Sequence, residues 1–336
     1  MNALACRILL AALVASAPGM ALSQDVSVII VSWNTRDYLA RCLAAISPAA
    51  GGLATEVIAV DNGSSDGTQA MLAGEFPEVR LIQNPENVGF ARANNIGARA
   101  SRGRALLLLN SDCELGPGAL RAMVGELDRD GSLGGVFCRL LNTDRSLQPS
   151  VHRGFPSLLG VLGEPLGLSS LRYAIYRRPA LHPWLLRGTI RAHARASDVA
   201  WGGAACMLVR REAFEAVGGF DERFFLYWED VDLCRRIRSA GYRLRYLPEP
   251  VAVHHWGKSA AQLSAVALRE AYRSRLLYFE KHLPAWGGRV VRGVTLFELS
   301  MRRALYAVLA LFPSRFRQAL HERRAASAAC LRSLSG

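Results

Sequence analysis

The chain has 336 residues, of which 51% are hydrophobic, and a formal net charge of +13 at pH 7. This length and apolar content allow one large α/β domain with appendages, or two modest domains, and argue against a disordered chain. The seven cysteines include no CxxC pair, which argues against a disulfide framework and against a zinc module.

The N-terminal segment, residues 1–24, has a composition of its own. Arg7 precedes an apolar run over residues 8–17, and small residues follow at Ala21 and Ser23. This order is typical of a secretory signal peptide. The run is too short to span a bilayer as a helix. A segment lying on a membrane and a wrongly assigned start codon are the alternatives to a signal peptide.

Apolar strand-like runs and helical patterns alternate through the first half of the chain. The predicted strands cover residues 26–33, 56–60, 79–83 and 104–110. A helix capped by Thr35 is predicted after the first strand, and another over residues 90–100, with Asn87 as its candidate cap. The alternation predicts an α/β fold with a Rossmann-like, mostly parallel sheet flanked by helices.

The second half is organised differently. Residues from about 150 to 197 are rich in Pro, Gly, Arg and Leu and show no periodicity. This composition predicts an irregular insertion. Strand-like runs resume at residues 205–210 and 244–253. Residues 263–336 predict a basic helical extension, with 13 Lys/Arg against 4 Asp/Glu from Leu268 onwards. Such an extension suits an anionic membrane surface or a phosphate-bearing substrate, and a solvated helical face is the alternative.

Polar residues cluster where the predicted strands end. Asp61 and Asn62 open the segment DNGSSDG, Asn87 and Gly89 belong to the loop NPENVG, and Asp112 follows the apolar run RALLLLN. Ligands of parallel α/β sheets bind beyond the carboxyl ends of the strands, so these residues are candidates for a nucleotide site. Taken singly, each segment is also an ordinary turn or helix cap.

Asp112 is a candidate metal ligand. A carboxylate just beyond a buried strand is costly unless it has a partner. A divalent cation held by one or two carboxylates and by substrate phosphates would be such a partner. A strand-ending Asx turn is the alternative.

Three acidic residues, Glu229, Asp230 and Asp232, follow the aromatic run FFLYW. The apolar spacing that follows places Glu229 or Asp230 at the N-terminus of a helix, where capping would explain one or two acids. The aromatic neighbours would desolvate a carboxylate and raise its pKa, as a catalytic base requires. This cluster is the most specific in the chain.

Two adjacent histidines, His254 and His255, follow the strand-like run over residues 244–253 and precede WGKS. A single histidine is more often structural than a ligand. Beside Trp, Lys and Ser, in a chain that also has paired acids, the two histidines indicate a site.

The order and spacing of these clusters resemble the family 2 glycosyltransferases of the GT-A fold group. The resemblance rests on the segments VSVIIVSWN, AVDNGSSDGT, NPENVGFARANNIG, LLLLNSD, GGAACMLVRREAFEAVGGFDERFFLYWEDVDLCRRIRSAGY and HHWGKS. It extends from about Val26 to Ser259 and implies a GT-A domain over residues 25–262. Within the family, the chain looks most like the bacterial rhamnosyltransferase-type enzymes of cell-surface polysaccharide synthesis.

The resemblance implies a role for each matching residue. The implied donor-binding residues are Ser32, Asn34, Asp61, Asn62, Asn87, Gly89, Asn95 and Asn110. Asp112 and His254 are the implied metal ligands, with His255 as the alternative. Asp230 is the implied catalytic base, supported by Glu229 and Asp232.

The resemblance also implies a mechanism, an inverting and metal-dependent sugar transfer from a nucleotide diphosphate. Mg²⁺ or Mn²⁺ would offset charge on the leaving diphosphate while Asp230 takes a proton from the acceptor hydroxyl. The chain departs from the family's acidic D-x-D motif, because Asn110 occupies its first position. Metal affinity is then expected to depend more on the diphosphate and on a histidine than on this motif.

The expected substrates and location follow from the same resemblance. dTDP-rhamnose is the first expected donor, with a UDP-sugar as the alternative, and the expected acceptor is a glycan or a polyprenyl-linked sugar. No nucleic-acid partner is expected. Because nucleotide sugars are cytoplasmic, we expect a cytoplasmic protein that is peripheral on the inner face of the cell membrane.

Two other functions are weighed against glycosyl transfer. A sugar nucleotidyltransferase also combines a metal with an α/β sheet, but usually carries a Gly-rich loop with Arg and Lys after its first strand, where this chain has SWNTRDYL. A non-catalytic nucleotide-sugar-binding protein would have no need of the acids at Asp112 and Asp230, and both are present.

Overall fold

The computed structural model describes residues 24–163, 183–255, 264–309 and 317–335. The signal-like run and the end of the histidine motif, residues 256–259, lie outside the described residues. The six cysteines within the described ranges are free and buried, in agreement with the absence of a disulfide framework.

The strands are short and mostly apolar. In chain order they are β1 Gln24–Ser32, β2 Thr55–Asp61, β3 Arg80–Gln83, β4 Gly103–Asn110, β5 Cys113–Leu115, β6 Leu133–Leu141, β7 Leu147–Gln148, β8 Val151–His152, β9 Ser197–Val199, β10 Trp201–Gly202, β11 Cys206–Arg210 and β12 Arg243–His254.

The helices lie between the strands and at the C-terminal end. They are α1 Arg36–Ala44, α2 Ile46–Ala50, α3 Thr68–Glu75, α4 Phe90–Ala100, α5 Ala119–Arg129, α6 Leu158–Leu162, α7 Pro183–Ala192, α8 Arg211–Ala216, α9 Glu229–Ser239, α10 Ser264–His282, α11 Ala285–Leu309 and α12 Arg317–Ser335.

One large sheet organises the described part of the chain, with the main strand order β3-β2-β1-β4-β11-β6-β12-β5. β7 pairs with β6 and β9 with β12, while β8 and β10 form a separate antiparallel pair. β1 is parallel to β2 and β4, and β6 is parallel to β12. β11 lies antiparallel between β4 and β6. The predicted α/β fold with a mostly parallel sheet is confirmed, with β11 as an inserted reversed strand.

A hydrophobic core lies on each face of the sheet. Along β1, Val28 and Ile30 contribute to one core and Ile29 to the other, and all three are fully buried. Helices α1, α2, α3 and α5 cover the first face, and α4, α8, α9 and the C-terminal helices cover the second. Burial on both faces explains why the central strands read as continuous apolar runs rather than as alternating ones.

Two predicted helix caps are wrong. Thr35 precedes α1, but its hydroxyl hydrogen-bonds Ser32 at 3.0 Å and Ser111 at 2.8 Å instead of the helix. Gly89, not Asn87, precedes α4, and the side chain of Asn87 accepts a hydrogen bond from the Gly89 N–H at 3.0 Å. Both side chains therefore join loops at the strand ends rather than cap helices.

The C-terminal helices α10, α11 and α12 pack together against the second face. Buried Arg275 of α10 pairs with buried Glu298 of α11 at 3.0 Å, and Arg292 of α11 donates to the carbonyl of Leu334 in α12 at 2.9 Å. The predicted helical extension is confirmed. No helix in the described ranges is both long and apolar enough to cross a membrane.

Candidate active site

Several strand ends meet at one edge of the sheet. β1, β2 and β4 are parallel, so they all end there, at Ser32, Asp61 and Asn110. β11 runs the opposite way and begins there, where the Ala205 carbonyl accepts a hydrogen bond from the Asn110 N–H at 2.9 Å. The end of β12 arrives beside β5, where His254 pairs with Cys113. Topology thus brings distant segments of the chain to one place.

A cleft of about 470 Å³ opens at this edge. That volume suits a small-molecule ligand. Asp112 and His254 line it from the strand ends, and Glu229 and Asp230 line it from the start of α9. Four chemically reactive side chains, drawn from three separate segments of the sequence, therefore share one cavity.

Asp112 and His254 are in direct contact. Asp112 Oδ1 lies 3.2 Å from His254 Nε2, and both side chains are almost fully buried. Asn110 Nδ2 lies 3.3 Å from the same Nε2. In the described structure Asn110 Oδ1 is buried without a hydrogen-bond partner. This corner of the cleft thus concentrates oxygen and nitrogen atoms that can ligate a cation.

Gln148, at the end of β7, orients His254. Its Oε1 lies 2.8 Å from His254 Nδ1, while its Nε2 donates to Asn142 Oδ1 at 2.9 Å. When His254 is neutral, the Nδ1 proton is used in the bond to Gln148, so the Nε2 lone pair points toward Asp112. Metal-binding histidines are held in the same way in many proteins.

The loop before α9 has an unusual backbone. Tyr227 and Trp228 have φ values of 67° and 68°, in the left-handed region that non-glycine residues rarely adopt. Helix α10 supports this loop, because the Ser274 hydroxyl donates to the Leu226 carbonyl at 2.9 Å and the Trp228 ring packs 5.2 Å from Tyr278. Strain of this kind persists where the surroundings enforce it, which is often at functional sites.

Asp230 is held by backbone N–H groups at the edge of the cleft. Its Oδ2 accepts from Ala204 at 3.3 Å and its Oδ1 from Val231 at 2.7 Å. Burial raises the pKa of Asp230 to about 6, although these N–H groups act in the opposite direction. A carboxylate with a pKa near neutrality is a stronger base than an ordinary one.

Glu229 lies deeper than Asp230. It is 5% exposed, and its Oε2 finds no hydrogen-bond partner among the described residues. Burial, together with the neighbouring Asp230, raises the pKa of Glu229 well above its ordinary value. Glu229 therefore holds its proton to a higher pH than an ordinary glutamic acid does.

Four of the expected donor-binding residues line the cleft, Asn62, Asn87, Gly89 and Asn110. Asn62 Nδ2 donates to Asn87 Oδ1 and to the Gly89 carbonyl, both at 3.3 Å. Gly89 is required by a close approach: a Cβ there would lie 2.6 Å from the Phe225 carbonyl oxygen. The glycine thus allows the donor loop to contact the loop before α9.

Ser32, Asn34 and Asp61 lie next to the cleft and organise the loops around it. Asn34 Oδ1 accepts from the Ser65 N–H at 2.8 Å. Asp61 is fully buried, and its Oδ2 accepts from Gln69 Nε2 at 2.6 Å. These contacts connect the ends of β1 and β2.

Two further expected site residues, Asn95 and Asp232, also lie outside the lining of the cleft. Asn95 Nδ2 donates to the Phe220 carbonyl, and Asn95 Oδ1 accepts from the Phe220 N–H, both at 2.9 Å. Asn95 thus fixes the loop that precedes the acidic cluster. Asp232 is fully buried on α9 and pairs with Lys281 at 2.8 Å and His282 at 2.7 Å in α10, and with Arg236 at 2.7 Å. Both residues connect elements that position the site.

His255, the alternative metal ligand, points away from the cleft. Its Nε2 lies 2.7 Å from Glu114 Oε1, and its Nδ1 lies 3.1 Å from the Thr143 hydroxyl. Of the two histidines, His254 is the one that lines the cleft.

The sequence analysis missed several residues that line the cleft. They include Gln148 and a stacked pair, His152 and Trp201, whose ring centroids are 4.0 Å apart. The pair comes from β8 and β10, within and just beyond the segment interpreted as an irregular insertion. Without a periodic pattern, only the pairing of β8 with β10 could have revealed it.

The described residues include no group of three or more His, Cys, Asp or Glu side chains arranged to hold a metal ion. The contact between Asp112 and His254 supplies two protein ligands, and Asn110 Oδ1 is a third candidate atom of a different kind. Mg²⁺ characteristically combines one or two protein ligands with substrate phosphates and water.

The chain is similar to known glycosyltransferases in sequence. The chain matches the family described as "Glycosyl transferase family 2" over residues 27–218, and "Glycosyl transferase family group 2" over residues 189–276. It is 31% identical over 311 residues to the N-acetylglucosaminyl-diphospho-decaprenol L-rhamnosyltransferase of Mycobacterium tuberculosis, covering 87% of this chain and 95% of that protein. It is 30% identical over 253 residues to the pre-mycofactocin glycosyltransferase of the same organism, covering 74% and 47%.

A solved structure shows the same fold. The chain superposes on a mannosyltransferase from Pyrobaculum calidifontis, solved in complex with GDP-Man and Mn²⁺, with a TM-score of 0.50 at 19% identity, covering 97% of this chain and 93% of that one. The fold is therefore that of the GT-A glycosyltransferases. Because the family match covers more than half of its length and a relative of 31% identity extends over most of it, the chain belongs to glycosyl transferase family 2 and is a glycosyltransferase.

Proposed function

We propose that the chain transfers a sugar from a nucleotide diphosphate to an acceptor hydroxyl in one displacement that inverts the anomeric centre. The observation that carries this proposal is that Asp112 and Asp230, from distant parts of the sequence, line the same cleft. One carboxylate lies at the strand ends, where the diphosphate is expected, and the other lies at the start of α9, where an acceptor can approach.

Asp230 is the proposed base. The acceptor O–H bond breaks as its proton passes to the Asp230 carboxylate, and the acceptor oxygen forms a bond to the anomeric carbon. At the same time the bond from that carbon to the diphosphate oxygen breaks, and the nucleoside diphosphate leaves with the electron pair. The raised pKa of Asp230 supports this role, because a stronger base accepts the proton more readily.

The residues around Asp112 fit a divalent cation. A buried carboxylate in contact with an oriented histidine, beside the unsatisfied Asn110 Oδ1, forms a set of oxygen and nitrogen donors suited to Mg²⁺ or Mn²⁺. The cation would neutralise charge on the leaving diphosphate. Asp112 and His254 would hold it, and Gln148 keeps the His254 lone pair directed into the cleft.

The donor nucleotide is proposed to lie along the ends of β1, β2 and β4. Asn62, Asn87, Gly89 and Asn110 line this side of the cleft. Asp61, Asn34 and Ser32 support the loops behind it, and the family resemblance assigns Asp61 to the nucleobase. Of the two expected supports of Asp230, Glu229 lies beside it in the cleft lining and Asp232 pairs α9 with α10. Asn95, expected to bind the donor, instead positions the loop before the acidic cluster.

The relatives suggest the substrates. The rhamnosyltransferase relative is named for an N-acetylglucosaminyl-diphospho-decaprenol acceptor, so we infer a lipid-linked sugar acceptor here, and dTDP-rhamnose as donor with a UDP-sugar as the alternative. With a cytoplasmic donor and a lipid-linked acceptor, the proposed location is the inner face of the cell membrane, and the proposed role is in the synthesis of a cell-surface polysaccharide.

A donor panel tests the proposal. Purified chain is incubated with dTDP-rhamnose or UDP-sugars and a lipid-linked N-acetylglucosamine diphosphate, with and without Mn²⁺, and the anomeric configuration of the product is read by NMR. We expect metal-dependent transfer with inversion. Retention of configuration, or equal transfer in the presence of a chelator, would contradict the mechanism.

A further inference from the structure

Helix α11 presents an apolar stripe to solvent. Its exposed hydrophobic residues are Trp286, Val290, Phe297, Met301, Leu305, Val308 and Leu309. At 3.6 residues per turn, Trp286, Val290, Met301 and Val308, together with Gly293 and Ala304, lie within about 40° of Phe297 around the helix axis. Trp286 and Phe297 are 57% and 58% exposed. The outer face of α11 is therefore apolar along most of its 25 residues.

Helix α6 extends this stripe. It packs against α11, and two of its leucines are exposed, Leu159 at 79% and Leu162 at 46%. Of the exposed large hydrophobic residues in the described ranges, only Ile190 and Tyr227 lie on other elements. The exposed faces of α6 and α11, which we call the apolar face, are thus where exposed apolar surface concentrates, and such patches mark interaction sites.

The exposed charges of α11 itself have one sign. Arg289, Arg292 and Arg303 are exposed, and Arg292 pairs with Glu280 of α10 at 3.0 Å, whereas Glu298, the acidic residue of this helix, is turned inward against Arg275 at 3.0 Å. Two copies of α11 packed face to face would bring these arginines together, which disfavours a homodimer. Phosphate-bearing lipid headgroups would complement them.

A second basic feature lies at the α6 end of the face. A shallow depression is lined by Phe155, Leu158 and Leu283 together with Arg235 and Arg238 of α9. Two guanidinium groups beside apolar side chains match the interface of a bilayer, where anionic headgroups meet acyl chains. α6 also follows closely after β8, whose His152 lines the catalytic cleft.

We propose that the apolar face of α6 and α11 docks on an anionic lipid bilayer. The apolar side chains enter the boundary between headgroups and acyl chains, and the arginines at its border contact lipid phosphates. The protein then lies on the membrane with the short connection from α6 to β8 leading to the cleft. A role of this docking in the reaction rests on the lipid-linked acceptor proposed above. The docking itself does not depend on that acceptor.

Vesicle co-sedimentation of the full chain tests the docking. The vesicles contain phosphatidylcholine alone or mixed with phosphatidylglycerol. We expect binding to the anionic vesicles that weakens as salt is added. Phe297→Glu should weaken it at least about tenfold, because a buried aromatic contact is lost and a like charge faces the headgroups. Ile190→Glu is the matched control: Ile190 is 45% exposed but lies on α7, and its variant should bind like the wild type.

The outcomes separate docking from catalysis. Both variants should retain wild-type transfer to a water-soluble acceptor and wild-type thermal midpoints, because Phe297 and Ile190 lie on the surface away from the cleft. Equal vesicle binding by Phe297→Glu and the wild type would overturn the proposal. A wild-type dimer that Phe297→Glu dissociates, without vesicle binding, would also overturn it and assign the face to a second copy. Loss of transfer by every form would instead contradict the proposed function.

Discussion

Gln148 holds His254 by a hydrogen bond of 2.8 Å between Gln148 Oε1 and His254 Nδ1. Gln148 is in turn fixed by Asn142 Oδ1 at 2.9 Å, so the imidazole has one preferred orientation and one preferred tautomer. His254 Nε2 is left facing Asp112 at 3.2 Å. A residue that touches neither substrate in the proposed mechanism can therefore control the metal affinity of the site.

Replacing Gln148 tests this control. Gln148→Leu should raise the Mn²⁺ concentration needed for half-maximal transfer by about 10- to 100-fold, because the imidazole loses its orientation. The turnover at saturating Mn²⁺ should fall much less. Gln148→Glu keeps an acceptor for the Nδ1 proton and should restore most of the metal affinity, which a metal titration of the three proteins would measure. Unchanged metal dependence of Gln148→Leu would remove Gln148 from this role.

Asp112 should contribute to the part of the donor-binding affinity that depends on the metal. We expect Asp112→Ala to weaken nucleotide-sugar binding strongly in the presence of Mn²⁺ and little in the presence of a chelator, because the variant removes a charged ligand of the cation. Calorimetric titrations under both conditions measure the two effects. His255→Ala is the control, since His255 lies near Glu114 and Thr143 rather than in the cleft. Identical metal enhancement in wild type and Asp112→Ala would contradict the assignment.

The raised pKa of Asp230 predicts how the rate depends on pH. The proposed base is active only when it is deprotonated, so kcat/KM should fall as the pH drops through about 6. An ordinary carboxylate would place this fall near pH 4. Rates measured at saturating metal and over a range of pH give the inflection, and the absence of any fall between neutrality and about pH 5 would contradict an essential Asp230 of this kind.

The same pKa shift predicts a stability change. Folding raises the pKa of Asp230, so the folded chain binds the proton more tightly, and the stability gained from this proton is lost as the pH rises through about 6. Asp230→Asn should then increase the free energy of unfolding near neutral pH by about 1–3 kcal/mol. The gain should vanish at about pH 4, where the wild-type carboxyl is largely protonated. Thermal or urea unfolding of both proteins at the two pH values provides the comparison.

Asp232 should show the opposite dependence of stability on pH. Burial alone would raise its pKa, but hydrogen bonds from His282 and Lys281 and the charge of Arg236 outweigh burial and hold the pKa below its ordinary value. Asp232→Asn breaks a buried ion cluster between α9 and α10, at an expected cost of about 3–5 kcal/mol in unfolding free energy. The wild-type contribution should be present above the ordinary carboxyl pKa and be lost as the pH falls through the lowered one. Glu78→Gln, at an exposed position outside this cluster, is the control, and a loss no larger than in that control would contradict the structural role.

Much of the fold could be predicted from the sequence because burial leaves a clear pattern. β4 was visible as a continuous apolar run, and α4 was predicted over its observed range, residues 90–100. The reversed direction of β11 was not visible, since a buried strand has the same composition whether it runs parallel or antiparallel. The cap predicted at Thr35 failed because its hydroxyl found partners across the strand ends, at Ser32 and Ser111.

The site was less predictable than the fold. Polar residues at strand ends pointed to Asn62 and Asp112, and the acidic cluster after the aromatic run FFLYW pointed to Asp230. All three residues line one cleft. Gln148 could not be found, because its partner His254 lies 106 residues further along the chain. The stacked pair His152 and Trp201 could not be found either, because it depends on the long-range pairing of β8 with β10. The sequence also could not show that Asp232 would be engaged by Lys281 and His282, since these residues come from α10.

The role of Asp230 as the catalytic base is tested by the Asp230→Asn variant, measured for turnover and for donor binding in the same buffer with Mn²⁺. We expect a loss of turnover of about 10²- to 10⁴-fold, the range expected for removal of a general base, with a nearly unchanged Kd for the nucleotide sugar. The predicted gain in stability would show that the variant is folded. Undiminished turnover by Asp230→Asn would contradict the account.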